Sequence, residues 1–196
     1  MFAAASLTES LTAIGDKYMA ENKKVRISFN FDSSGKLLTQ IEEGAICDLF
    51  ISVAPKQMNA LDGSLKDNSE KNPKGQDLLV AGSRIDLLEN KVALAVAEGN
   101  PKGIDSFDKL ADLLKDETAV AEGTVDCGII YASDAYSAKL TVAAEATADM
   151  CGQVIYPAAV LNTSTQQDAA AAFLQYLQGA EASSEFEKVL FTPLGK

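Results

Sequence analysis

Two stretches decide the reading of this chain: Phe2-Ala-Ala-Ala-Ser6-Leu-Thr-Glu9 and Phe31-Asp-Ser-Ser34-Gly35-Lys36. Each runs from an apolar strand through small residues into an amphipathic pattern. Each therefore sets a hydroxyl and free backbone N–H groups at a helix N-terminus, where the positive end of the dipole favours an anion. Two such turns aimed at one cleft would bind an oxyanion without a charged side chain.

Working outward from the first turn, Leu7, Leu11, Ile14 and Tyr18 recur at helical spacing over residues 7–20, with Gly15 tolerated inside the run. Val25 to Phe31 alternates apolar and polar residues and predicts a strand. From the second turn a helix is expected through Leu37, Leu38 and Ile41 to a stop at Gly44, followed by a short buried strand over Asp48–Ser52. Strands alternating with helices predict an α/β fold with a mainly parallel, doubly wound sheet.

Residues 62–76 are polar and read as a surface loop. Leu78–Val80 and Lys91–Ala97 are strand candidates joined by Arg84–Leu88. Ser106 is placed to cap a helix reaching Leu114, and Thr118–Gly123 reads as the end of another. Cys127–Tyr131, Val142-Ala143 and Val154–Val160 supply further strand material, with Pro157 marking an edge or a bend. Helices are expected over Gln166–Tyr176 and Ser183–Leu190.

The chain of 196 residues is 47% hydrophobic, ample for one large domain or two small lobes. Its net charge of −11 and its two arginines, Arg26 and Arg84, give no basic stripe for a phosphate backbone, so nucleic acid is not an expected partner. No apolar run reaches membrane-spanning length, and no basic stretch followed by an apolar segment opens the chain. Cys47, Cys127 and Cys151 form no C-x-x-C pair and histidine is absent, which leaves no zinc site. The cysteines read as small buried hydrophobes, with a Cys127–Cys151 bridge unsupported by sequence.

Ser6 has two readings. Ser6-Leu-Thr-Glu9 fits a capping box, the reading its spacing favours, and the preceding Ala3-Ala4-Ala5 also allows a ligand close to the turn, with Ala5 offering backbone. Ser34 is freer: Asp32 or Ser33 can cap the helix, and Gly35 clears the approach path, although a serine-rich helix start reads the same way. Tyr131 closes a strand, where a phenol can donate into a cleft or simply pack.

Together Phe2–Thr8, Phe31–Leu37 with Gln40-Ile41-Glu42-x-Gly44, Asp48–Ser52, Val125–Asp134 and Tyr156–Val160 resemble the molybdate-binding protein of bacterial ABC importers. Phe173-Leu-x-Tyr-Leu and Phe186-Glu-Lys-x-x-Phe191 carry the resemblance to the C-terminal end. It implies a two-lobed periplasmic-binding-protein fold, with lobe one at 1–83 and 157–196 and lobe two at 84–156, the lobes joined by strands near Leu88 and Tyr156. It implies an extracytoplasmic location, periplasmic or lipid-anchored, and capture of molybdate or tungstate by hinge closure. The implied anion donors are Ser6, Ser34 and Tyr131, with Ala5, Ser33 and Gly35 as backbone or supporting groups. No cofactor and no catalysis are implied, and the partners are the oxyanion and a membrane permease, the protein itself being monomeric.

One departure stands out. The family carries a further strand and helix, including a Val-Pro-x-Gly-type turn, that would fall between Glu117 and Thr118 and is missing from this sequence, so the second lobe is expected to be shortened. A fully ionised dianion suits a donor-only pocket, whereas hydrogen phosphate wants an acceptor for its proton. Sulfate or another tetrahedral oxyanion is the alternative ligand. A Ser-His-Asp hydrolase is excluded by the absence of histidine, and a Ser34-Lys36 pair lacks the G-x-S-x-G elbow. A regulator's sensing lobe would need a basic helix-turn-helix, and none is evident.

Overall fold

The computed structural model describes residues 1–114 and 127–195. The expected helix end at Thr118–Gly123 lies outside the described residues. The chain divides into two compact units, one of residues 1–89, 155–188 and 192–196, the other of residues 90–154 and 189–191.

The first unit is built on a six-stranded sheet. In chain order its strands are β1 (Phe2–Ala4), β2 (Asn30–Asp32), β3 (Leu49–Ile51), β4 (Ile85–Asn90), β8 (Val154–Val160) and β9 (Thr192–Pro193), arranged β2-β1-β3-β8-β4-β9. β1 runs parallel to both neighbours, with Ala4 beside Asp32 and Ala3 beside Ile51. β8 returns antiparallel to β3, and β9 antiparallel to β4. The sheet expected to be mainly parallel has its parallel pairs in β2-β1-β3, the part wound with helices, and antiparallel pairs at β3-β8 and β4-β9.

Helix α1 (Thr8–Glu21) buries Leu11, Ile14 and Tyr18, the face its spacing predicts. Gly15 is more than tolerated: a Cβ there would fall 2.7 Å from the Phe29 ring, which lies against the helix. Helix α2 (Ser34–Glu42) buries Ser34, Leu37 and Ile41, spaced three and four apart on one face. It ends at Gly44, whose φ of +90° suits only glycine well. Short α3 (Pro55–Asn59) follows β3.

Four expectations need correction in this unit. Of Val25–Phe31 only the end becomes strand, because β1 offers pairing to residues 30–32 alone. Arg84–Leu88 is no mere connector, since β4 begins at Ile85, whereas Leu78–Val80 makes only an isolated bridge between Leu79 and Leu161. Pro157 lies within β8 between β3 and β4, not at an edge, and its carbonyl accepts from the Ser52 N–H at 3.0 Å.

The second unit holds a three-stranded antiparallel sheet, β6-β5-β7, made of β5 (Val92–Val96), β6 (Cys127–Tyr131) and β7 (Thr141–Glu145). Its core is small: Leu94, Val96 and Ile104, with Phe107 and Leu110 of α4 (Phe107–Leu114) packed against them. The Ser106 hydroxyl accepts from the Lys109 N–H at 3.1 Å, the expected cap. Helices α5 (Ala132–Ser137) and α6 (Ala148–Cys151) belong to the same unit. The remaining helices, α7 (Gln167–Tyr176) and α8 (Ala180–Lys188), close the first unit. Among the described residues no helix is long and apolar enough to cross a membrane.

All three cysteines are free, but only Cys47 is buried; Cys151 is exposed. Burial pushes the Cys47 thiol up to about 11, so it packs as an inert hydrophobe.

Candidate oxyanion site

Strand register assembles the site. Because β2, β1 and β3 are parallel neighbours with Asp32 beside Ala4 and Ile51 beside Ala3, all three strands end at one edge of the sheet. Ser6, Ser34 and Val53 each follow their strand by two residues and therefore emerge together at that carboxyl edge, where ligands of open α/β sheets bind.

Ser34 is 2% exposed at the first position of α2. Its Oγ accepts the Val53 N–H at 2.9 Å, which occupies a lone pair and leaves the hydroxyl proton to be donated. The cap is Ser33, whose Oγ accepts from the Lys36 N–H at 3.5 Å. Ser33 and Gly35 are exposed, and nothing lies within 4 Å of where a Gly35 Cβ would stand. The N–H groups of Ser34 and Gly35 open the helix and so have no partner within it. Asp32 does not spoil this positive end: its Oδ1 accepts the Ser33 N–H at 2.7 Å and pairs with Lys36 Nζ at 3.2 Å. The Ser33 bond and then Lys36 hold its carboxyl below the usual range.

Ser6 does not form the capping box that its spacing allows. It sits in a one-turn 3-10 segment, Ala5–Leu7, and α1 has no side-chain cap. Its hydroxyl lies 3.0 Å from that of Tyr156 on β8. Ala5 beside it is exposed, and its carbonyl accepts from the Thr8 hydroxyl at 2.7 Å. Tyr131 belongs to the second unit, where it ends β6 and stands half-buried at the N-cap position of α5 in an extended conformation, with no side-chain cap bond. The structure thus brings Ser6 and Ser34, with Ala5, Ser33 and Gly35, to one sheet edge of the first unit, and places Tyr131 at the end of a strand in the second.

Sequence reasoning missed two groups that bond to the candidate serines. Val53 contributes through its backbone, which no side-chain pattern reveals. Tyr156 was legible as a strand residue, but its partner is 150 positions away.

Serine hydroxyls and open helix N–H groups at the carboxyl edge of parallel strands suit an anionic solute. Residues 1–121 and 117–189 match the model of the bacterial extracellular solute-binding protein family, and the chain belongs to that family. It is a family of extracytoplasmic binding proteins, not of enzymes, that work with a small ligand and with membrane permease components.

Among relatives, the chain is 33% identical to the putative ABC transporter substrate-binding lipoprotein YvgL of Bacillus subtilis, covering 97% of this chain and 84% of that protein. It is 32% identical to the molybdate-binding protein ModA of Escherichia coli, covering 98% and 88%. Among solved structures, the substrate-binding domain of a putative molybdenum ABC transporter from Clostridium difficile is 27% identical, with a TM-score of 0.77 over 97% of this chain and 96% of that one. The YvgL comparison runs over 219 residues against the 196 of this chain, so at least 23 positions have no residue here.

Proposed function

We propose that this protein captures molybdate or tungstate and delivers it to an ABC permease, with Ser6, Ser34 and Tyr131 as side-chain donors. Ala5 and Gly35 contribute open backbone, and Ser33 supports by capping α2. The observation that carries the reading is the Val53 N–H on Ser34 Oγ, which takes one lone pair of a buried hydroxyl at a helix N-terminus and leaves its proton for a ligand. A site of neutral donors binds a tetrahedral dianion through charge-assisted hydrogen bonds and offers a protonated one no charged acceptor. The relatives support the choice of molybdate, being named for it or for molybdenum transport. The ligand is the cargo, and the reading requires no cofactor and no chemistry on the anion.

The reading includes a weakened second half. The family match falls in two stretches that meet at residues 117–121, and we place the missing positions there. Each charge-assisted hydrogen bond lost with them lowers affinity by about 1.5–3 kcal/mol. The protein is proposed to act as a monomer and to take no nucleic acid.

Calorimetric titration with molybdate, tungstate, sulfate and phosphate tests this. Binding of molybdate and tungstate with sulfate and phosphate excluded is the expected result. Preference for sulfate would assign the alternative oxyanion, and binding of none would overturn the reading.

A further inference from the structure

We infer that Tyr156 is a positioning residue of the oxyanion site, acting through Ser6; the inference rests on the oxyanion reading above. Tyr156 is 0% exposed in the interior of the six-stranded sheet, and its hydroxyl lies 3.0 Å from Ser6 Oγ. Each hydroxyl has a single proton. When Ser6 spends its proton on an anion, the bond between the two oxygens requires Tyr156 as the donor. The order is then Tyr156 O–H to Ser6 Oγ, and Ser6 O–H to the ligand.

Two consequences follow from that order. The ring of Tyr156, fixed by burial, holds Ser6 in one orientation within a turn that has no side-chain cap of its own. The accepted bond also polarises the Ser6 hydroxyl and so strengthens its donation. With a Ser6 lone pair engaged by Tyr156, Ser6 offers the ligand a proton, which favours a fully ionised oxyanion over one that must itself donate. Ser34 reaches the same state by a different route, its lone pair being taken by the Val53 N–H.

The test is a double-mutant cycle on the full chain: wild type, Tyr156→Phe, Ser6→Ala and the double variant, each titrated with tungstate and with phosphate. Tyr156→Phe keeps the buried ring. It is expected to weaken tungstate binding about tenfold, narrow the margin over phosphate, and leave the unfolding midpoint of the ligand-free protein close to wild type. In the Ser6→Ala background the same change is expected to have no further effect on affinity. Losses that multiply in the double variant, or unchanged tungstate affinity in Tyr156→Phe, would overturn the inference and leave Tyr156 as core packing. Should Tyr156→Phe fail to fold, crystals of the wild type with tungstate give a second reading: the two oxygens stay within hydrogen-bonding distance, and their separation on binding would overturn it. A wild type that binds no oxyanion would instead sink the functional reading, before any variant is made.

Discussion

The two strand-to-helix turns of the first unit hold their serine hydroxyls by different means. The turn at Ser34 is held by backbone: Ser33 caps α2, and the Val53 N–H from the neighbouring strand end orients the hydroxyl. The turn at Ser6 is held by a side chain, with no cap on α1 and the Tyr156 hydroxyl in the place of an amide. Backbone support ties a donor to the fold itself, so its loss disturbs stability and binding together. Side-chain support can be removed with the fold left standing.

The largest expected effect of breaking this contrast is Ser34→Ala. It removes an oxyanion bond, about 1.5–3 kcal/mol of affinity, and leaves the Val53 N–H without its acceptor beside a buried position, about 1–3 kcal/mol of stability. Titration and denaturant unfolding should both register it. Tyr156→Phe, which removes the supporting hydroxyl from beside the half-buried Ser6 and takes no acceptor from a backbone N–H, should weaken binding with under about 1 kcal/mol of stability lost. Equal stability losses in the two variants would erase the distinction.

Gly35→Asp sharpens the comparison by separating the two quantities. A carboxylate in the first turn of α2 has open space and a favourable dipole, so stability should rise by about 0.3–1 kcal/mol while oxyanion binding falls through repulsion. Stability and affinity rising together would show that the helix end does not face the ligand. Ser33→Ala should cost about 0.5 kcal/mol of stability, the low end for a cap because the bond is long at 3.5 Å, with affinity nearly unchanged.

The smallest effect concerns pH. The Asp32 carboxyl is held low in the folded protein, so its contribution is fully present above the ordinary value of 3.8 and fades as pH falls through that range. Asp32→Asn should therefore remove part of the acid-side slope in unfolding experiments at low salt and change little at neutral pH.

Much of this contrast was legible in the sequence, though unevenly. The spacing of Leu7, Leu11, Ile14 and Tyr18, and of Leu37 and Ile41, fixed two helices, because a helical face is a local property. The same spacing places Ser34 on the buried face of α2. Sheet pairing is not local, and there the reading failed. Val25–Phe29 alternates like a strand yet stays outside β2, its Phe29 ring resting instead on Gly15 and stacking on Phe31 at 5.1 Å. Arg84–Leu88 looked like a connector because no pattern within it announces β9 as a partner. Ser6 shows the limit most clearly: its local pattern is a capping box, and a tyrosine 150 residues away decides otherwise.

The measurement that tests the central claim most directly is a crystal structure of the protein grown with tungstate, the metal located by its anomalous scattering. The account predicts a single tungsten peak whose oxygens lie within hydrogen-bonding distance of both Ser6 Oγ and Ser34 Oγ. A peak that contacts only one of the two turns, or lies away from the carboxyl edge of β2-β1-β3, would contradict it.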